Sequence, residues 1–330
     1  MTKTTRNIFI VAALVCLTSC AGSFDGTDRS DRPIEFVTGV ADFPKAADVT
    51  TSSLEAFAVR AVKHSTSAIY FDNVVFARLV EGTFTSGTSY YWPHGEALDF
   101  YAYAPVRKTE PEGQIVHLED NGFKVTPDTT GNSNTQADLV FACEMNVAQP
   151  ESGSAVPLVF HHAESKIQLH AMNSSNSVKF EVEAWKISGI KGSGTFRFRG
   201  VDSDGFITAD GWDTTGADEE EYYQIPGKRG IKIDVSSPAK NLLHSLILIP
   251  QTGNAAISVK MKGILVSDSS VVFGTTAGES DWFECPVAVE WTPGRSYTYV
   301  VDLAKALAGS PATTSLKATV AGWDERNENL

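Results

Sequence analysis

Short runs in which apolar and polar residues alternate recur along almost the whole chain, and they constrain its fold more than any other feature. In the clearest run, Val178, Phe180, Val182 and Ala184 alternate with charged residues. Successive side chains of a strand point to opposite faces, so this spacing predicts a half-buried β-strand. Turn signals separate the runs at intervals of about 8–12 residues, which is typical of β-sandwiches. We therefore predict an all-β fold.

The predicted strands fall into two sets. Those of the first set lie between turn signals, at Ile34–Val37, Leu54–Val62, Asn73–Glu81, Leu98–Ala104, Gln114–Leu118, Phe123–Thr126 and Asp138–Cys143. Those of the second include 178–184, 242–249, 257–265, 297–303 and 314–323. Only 135–137 and 304–308 favour a helical turn. A chain of 330 residues exceeds what one core needs, and Gln149–Ser154 is the candidate linker. We therefore expect domains at 34–150 and 151–330.

An aromatic stretch, Tyr90–Pro105, stands out within the first set. Pro93 and Gly95 interrupt it, which predicts a hairpin or tight β-connection. After that turn, Leu98, Phe100, Ala102 and Ala104 share one face, and Asp99, Tyr101 and Tyr103 share the other. We interpret the stretch as a core strand of the first domain. The alternative is that Tyr101 and Tyr103 form a ligand platform.

The N-terminus has the pattern of a lipoprotein signal peptide. Lys3 and Arg6 precede an apolar run, Ile8–Leu17, that is too short for a stable membrane span. Leu17-Thr18-Ser19-Cys20 then matches a bacterial lipobox. We predict that residues 1–19 are removed and that Cys20 is lipidated, since several acyl chains together anchor a protein firmly. Residues 20–33 would form a flexible tether.

Net charge excludes some partners. Removal of residues 1–19 takes away two basic residues and no acidic one, so 27 basic residues fall to 25 against 40 acidic residues. Nucleic-acid binding requires a basic surface, so we expect no nucleic-acid partner.

No catalytic motif is visible in the sequence. Nucleophile elbows, P-loops, dinucleotide-binding glycine motifs and HExxH are all lacking. We therefore predict that the protein is not an enzyme and that it has no cofactor and no metal site. Neighbouring His161 and His162 point to opposite faces of a strand, so we expect one to be packed and the other exposed. Cys143 and Cys285 are interpreted as buried free thiols, with a disulfide as the alternative.

Two weaker signals concern ligands. Asp202 and Asp204 lie in a DxDG sequence that lacks the ligand spacing of an EF-hand, so a polar turn is expected and a weak calcium site is the alternative. The aromatic residues Trp212, Tyr222 and Tyr223 are candidates for stacking on sugar rings. Loop packing is their commoner use.

Several segments, in this order, resemble the fimbrillin (Mfa-like) family, the lipoprotein subunits of type V pili. They are the lipobox, Leu54–Val59, Tyr90–Pro93, Leu98–Pro105, Asp138–Ala142, Val156–Ile167, Leu246–Gln251, Trp291–Tyr299 and Val320–Trp323. The resemblance implies two tandem transthyretin-like β-sandwich domains, export to the outer membrane, and a role in fimbriae and cell adhesion. It also implies that the first strand is cleaved off and replaced by a strand from another fimbrillin subunit, which is β-augmentation.

One departure from the family concerns this cleavage. Family members often carry an arginine in the loop after the first strand, whereas here Lys45 is the only basic residue between Phe36 and Leu54. Our hypothesis is that the chain is either cut at Lys45 or stays uncut, as an anchor or accessory subunit would. The receptor is not indicated. The alternative function is a surface lipoprotein that binds glycans without polymerising.

Overall fold

The computed structural model describes residues 32–40, 54–80, 83–106, 115–119, 122–126, 136, 138–150, 154–197, 212–224, 230–242, 245–308 and 318–322. Within these residues the chain is strand after strand, with one short 3₁₀ helix, Leu303–Ala308. The predicted all-β fold is therefore confirmed. No helix in the described part of the chain is long and apolar enough to cross a membrane.

Nine strands lie in the first half of the described chain: β1 (Phe36–Val40), β2 (Ala56–Lys63), β3 (Ile69–Val80), β4 (Thr83–Ser86), β5 (Leu98–Ala104), β6 (Ile115–Glu119), β7 (Gly122–Thr126), β8 (Val140–Val147) and β9 (Val156–His162). Thirteen follow: β10 (Ser165–Asn173), β11 (Val178–Lys191), β12 (Gly194–Arg197), β13 (Trp212–Asp213), β14 (Glu219–Gln224), β15 (Ile231–Ile233), β16 (Ser237–Asn241), β17 (Leu246–Leu248), β18 (Thr252–Leu265), β19 (Val271–Phe273), β20 (Asp281–Glu290), β21 (Arg295–Asp302) and β22 (Ala318–Gly322).

Seven strands of the first half close into a barrel in the order β1-β4-β3-β2-β5-β8-β9. All neighbours are antiparallel except β1 and β9, which run parallel and complete the ring. Closure leaves no strand of the ring with an unpaired edge, and such edges otherwise invite pairing with other chains. The interior is packed mainly with phenylalanine rings, those of Phe36, Phe57, Phe71, Phe76, Phe84, Phe100 and Phe160.

The second half has two sheets that share one hydrophobic core. One follows the order β16-β10-β21-β22, with β17 also on β10, and the other follows β14-β11-β18-β19, with β15 on β11 and β20 on β18. The alternation predicted for residues 178–184 is confirmed, because Val178, Phe180 and Val182 are buried in this core. Two buried tryptophans keep their polar atoms paired there: Trp185 Nε1 donates to the Leu242 carbonyl at 3.0 Å, and Trp291 Nε1 donates to Tyr299 Oη at 2.9 Å.

A small sheet in the order β13-β12-β7-β6 brings strands from both halves together. Beside it lies a third cluster of buried residues, which we call the outer cluster: Ala58, Tyr101, Tyr103, Leu139, Phe141, Ala163 and Phe196. The pairing of β7 with β12 and that of β1 with β9 both cross the expected domain boundary. The division of the chain at residues 150 and 151 stays a prediction.

The stretch Tyr90–Pro105 differs in part from its expected structure. Strand β5 has the predicted bounds and its two faces are as predicted, with Leu98 and Phe100 inside the barrel and Tyr101 and Tyr103 in the outer cluster. Of the two predicted alternatives, a hairpin or a tight β-connection, the hairpin is wrong. The chain turns at Gly95, which has a left-handed φ of 66°, but Tyr91 pairs with Pro33 and not with β5.

Substitution of Phe100 by alanine tests the barrel core. Phe100 is fully buried, with its ring centroid 5.2 Å from that of Phe36 and 5.9 Å from that of Trp92. We expect Phe100→Ala to lower the free energy of unfolding by about 3–5 kcal/mol, because it leaves a cavity. Urea denaturation measures the change. The control Leu79→Ala, at a side chain that is 66% exposed, should change the free energy by less than about 0.5 kcal/mol. Equal effects of the two variants would contradict the assignment.

Candidate functional site

The candidate site is the space between β4 and β9 that β1 occupies, which we call the first-strand groove. Phe36 and Val37 pair antiparallel with Phe84 and Thr83 of β4. On the other side, all five residues of β1 pair parallel with residues 156–160 of β9. One short strand therefore satisfies backbone groups on two neighbours that are far apart in sequence.

Side chains along the first strand alternate between the barrel interior and the surface. Ile34, Phe36 and Thr38 are buried, whereas Glu35 and Val37 are exposed. A strand is present where the first one was predicted, at 34–37, but it begins at Phe36 and continues to Val40. The groove accordingly buries every second side chain of this segment, and the first two of them, Ile34 and Phe36, are large and apolar.

Phe36 is the main anchor of the strand. Its side chain is 1% exposed, and its ring meets those of Phe57, Phe76 and Phe100 edge-on, at centroid distances of 6.0, 4.8 and 5.2 Å. Edge-to-face pairs are favourable because the positive ring edge meets the negative ring face. Full burial of a phenylalanine contributes roughly 1.5–3 kcal/mol.

Thr38, beyond Phe36 in the same strand, is buried less favourably. Thr38 Oγ1 is buried and has no hydrogen-bond partner among the described residues. A buried hydroxyl without a partner costs about 1–3 kcal/mol, because it loses its hydrogen bonds to water. The strand is therefore stabilised chiefly by its backbone pairing and by its apolar side chains.

Backbone hydrogen bonds fix the residues that directly precede β1. Ile34 N–H donates to the Tyr90 carbonyl at 2.6 Å, Trp92 N–H to the Arg32 carbonyl at 3.3 Å, and Val156 N–H to the Glu35 carbonyl at 2.8 Å. Trp92 is buried here against Phe100. Tyr90 and Trp92 of the aromatic stretch thus fix the chain at the N-terminal end of the first strand.

Tyr101 and Tyr103 do not form a ligand platform. They are only 6% and 5% exposed in the outer cluster, and Tyr103 Oη donates to Asn73 Oδ1 at 3.0 Å. Burial raises the pKa of Tyr101 to about 12 and also raises that of Tyr103. Both hydroxyls therefore stay neutral and packed, and the ligand-platform alternative is wrong.

The two neighbouring histidines, His161 and His162, are successive residues of β9 and differ in burial. His162 is buried, and its Nδ1 lies 2.9 Å from Oδ1 of buried Asp138, whereas His161 is half-buried. His162 is packed as predicted, but His161 is less exposed than expected. No group of three His, Cys, Asp or Glu residues suited to a metal ion occurs within the described ranges.

Cys143 and Cys285 are free, as predicted. Cys285 is fully buried in the core of the second half, and Cys143 is half-buried beside the outer cluster. Burial raises the pKa of Cys143 to about 12 and that of Cys285 to about 11. Neither thiol is therefore poised to react.

Several predicted residues lie outside the described part of the chain: Cys20, Lys45, Asp202 and Asp204. Of the aromatic candidates for sugar stacking, Tyr222 is buried in the core of the second half, so it packs and the stacking alternative is wrong for this residue. Trp212 is half-buried, and the side chain of Tyr223 is not described. The sequence predicted a short first strand at 34–37, but not its pairing with β4 and β9.

Comparison with known families decides the relationship suggested by the ordered segments. Residues 46–323 match the family described as fimbrillin-like. The chain belongs to the fimbrillin-like family. The resemblance noted in the sequence is thereby confirmed over most of the chain.

A solved structure agrees with the fold of this fimbrillin-like chain. A protein from Bacteroides ovatus, described as a cell adhesion protein, is 16% identical with a TM-score of 0.52, and the match covers 90% of this chain and 99% of that one. Two others are a protein of the same description from Bacteroides uniformis (16% identity, TM-score 0.46, coverage 88% and 98%) and the fimbrial anchor protein Mfa2 from Porphyromonas gingivalis (11%, 0.37, 88% and 98%). No curated protein matches the chain.

Thiol reactivity tests the packing around the cysteines. In a chain that begins at Ala21, Cys143 and Cys285 are the two thiols. At pH 8 we expect both to react with a disulfide reagent at least about a hundredfold more slowly in the folded chain than in denaturant, because their raised pKa values leave little thiolate. Fast reaction of either thiol in the folded chain would contradict the burial, and its loss in Cys143→Ser or Cys285→Ser would identify the residue.

Proposed function

We propose that this chain is a fimbrillin-like subunit, accessory or anchor protein that joins other fimbrial subunits by strand exchange at the first-strand groove. Membership of the fimbrillin-like family indicates a fimbria-related role at the cell surface. The finer assignment to strand exchange is supported by one observation: a single short strand closes the barrel between β4 and β9.

The pairing of β1 explains why its exchange is chemically reasonable. Removal of the strand would leave backbone N–H and C=O groups of β4 and β9 without partners and would open the space filled by Phe36. A strand from another subunit restores both the ladder and the buried side chains, which is β-augmentation. Because buried and exposed residues alternate in β1, the incoming strand needs a large apolar residue opposite Phe57, Phe76 and Phe100.

We further propose that the chain reaches the outer membrane as a lipoprotein attached through Cys20 and that it acts without catalysis or a cofactor. The lipobox supports the first part. The second is supported by the lack of catalytic motifs in the sequence and by its family. Lys45 is then the residue at which proteolysis would release the first strand.

Intact-mass analysis of the protein from outer membranes separates the two maturation hypotheses. Cleavage at Lys45 yields a species that begins at Ala46. An uncut anchor or accessory subunit yields a species that begins at Cys20 and carries the added mass of acyl chains. A chain that begins at Cys20 without added mass would contradict lipidation.

Strand exchange is tested by complementation. We expect a chain that begins at Ala46 to bind a peptide of residues 32–40 and to gain thermal stability, because ligands that bind only the folded state stabilise it. The same peptide with Phe36→Ala should bind roughly ten- to a hundredfold more weakly.

The matched control for complementation is the peptide with Val37→Ala, since Val37 is 43% exposed. It should bind about as well as the unmodified peptide. Equal weakening by both substitutions, or a truncated chain that is fully stable without any peptide, would contradict the proposal.

A further inference from the structure

A second cleft, of about 450 Å³, lies far from β1 in sequence, where β13 and the start of β14 meet ends of β11, β18 and β20. Its lining includes Lys191, Trp212, Glu219, Thr252, Asn254 and Glu290. Sites for small ligands typically have volumes of about 300–1,000 Å³ and combine an aromatic surface with a few polar groups. The cleft meets both conditions.

The wall of the cleft is held in place by Gln251. Its Oε1 accepts a hydrogen bond from Lys191 N–H at 2.7 Å, and its Nε2 donates to the carbonyls of Lys191 and Ile249 at 3.2 and 3.1 Å. Its own carbonyl accepts Trp291 N–H at 2.9 Å. These bonds tie the end of β11 to the start of β18, so the cleft is formed before any ligand arrives. A preformed site loses less entropy on binding.

Trp212 supplies an aromatic surface of the cleft. Its Nε1 donates to the Ala163 carbonyl, and its ring lies 5.3 Å from that of Phe196. The only polar atom of the indole is therefore already used, and the ring is fixed from one side. What a ligand can contact is the half-buried carbon surface of the ring. Such a surface suits the C–H face of a sugar ring.

Polar side chains of the lining are available for hydrogen bonds. Those of Thr252, Asn254 and Glu290 are exposed, and they form no hydrogen bond to any residue that the structure describes. Together a hydroxyl, an amide and a carboxylate offer both donors and acceptors. This combination matches a ligand with several hydroxyl groups, each of which also donates and accepts.

The charge of the lining selects against anions. Lys191 is the one cation of the lining and lies 3.4 Å from Glu219, so Glu290 has no opposite charge among the lining residues. The whole chain carries a formal charge of −13. Phosphorylated, sulfated and acidic ligands would be repelled.

We propose that this cleft binds a neutral saccharide, with a sugar ring on Trp212 and its hydroxyl groups on Asn254 and Glu290. The proposal is independent of strand exchange at the first-strand groove. It retains Trp212 from the aromatic candidates in the sequence and replaces Tyr222, which is buried, with polar residues of β18 and β20.

Titration of the full chain with saccharides tests the proposal. The probes are glucose, galactose, mannose, N-acetylglucosamine and their disaccharides, with tryptophan fluorescence and saturation-transfer NMR as readouts. We expect at least one of them to bind. Asn254→Ala should weaken its binding by roughly threefold or more, and Glu290→Ala by roughly tenfold, since a hydrogen bond to a charged group is stronger.

Glu284→Ala is the matched control, because Glu284 lies on the same strand, is also exposed and lies outside the cleft lining. It should leave saccharide binding unchanged. Circular dichroism should show that all three variants are folded, as expected for exposed positions, and Thr252→Val replaces any variant that is not. The proposal is overturned if no probe binds, if Glu284→Ala weakens binding as much as Glu290→Ala, or if sialylated or sulfated sugars bind more tightly than neutral ones.

Discussion

The burial of Phe36 inside the first barrel is the interaction on which the rest of that half depends. Its ring lies between three others, and its backbone bridges β4 and β9. A barrel is stable only when its last strand is in place, since an open ring has two unpaired edges and an exposed core. Here the strand that closes the ring, β1, is the first in sequence.

The outer cluster determines which side of the barrel can contact other molecules. Phe196 packs against Phe141 at 5.4 Å and, together with Trp212, covers the outer faces of β5 and β8. The side chains of Tyr101 and Tyr103 are buried in this packing. By contrast, Val37 of β1 and Val159 of β9 remain exposed on the outside. The strand that we propose is exchanged thus lies away from the outer cluster and has an exposed outer side chain, that of Val37.

The two proposed activities use different physical means. Strand exchange depends on backbone pairing and on one deep aromatic pocket, so it is specific for the pattern of a strand and insensitive to charge. Saccharide binding depends on a few polar side chains around a fixed indole, so it is sensitive to single exposed substitutions. Since the two sites share no residue, the protein could bind a sugar while its groove is filled by its own strand or by another.

Local pattern alone was sufficient for much of this protein. Alternation at Val178–Val182 predicted a strand and its buried face, the bounds of β5 were correct, and the ordered segments indicated the family, because each depends only on residues close in sequence.

The tertiary structure decided which strands pair with each other. Period-two spacing specifies the face of a residue but not its partner strand, so neither the parallel pairing of β1 with β9 nor that of Tyr91 with Pro33 was visible. The burial of Tyr222 and the cleft beside Trp212 likewise follow from contacts between segments distant in sequence, which no local pattern records.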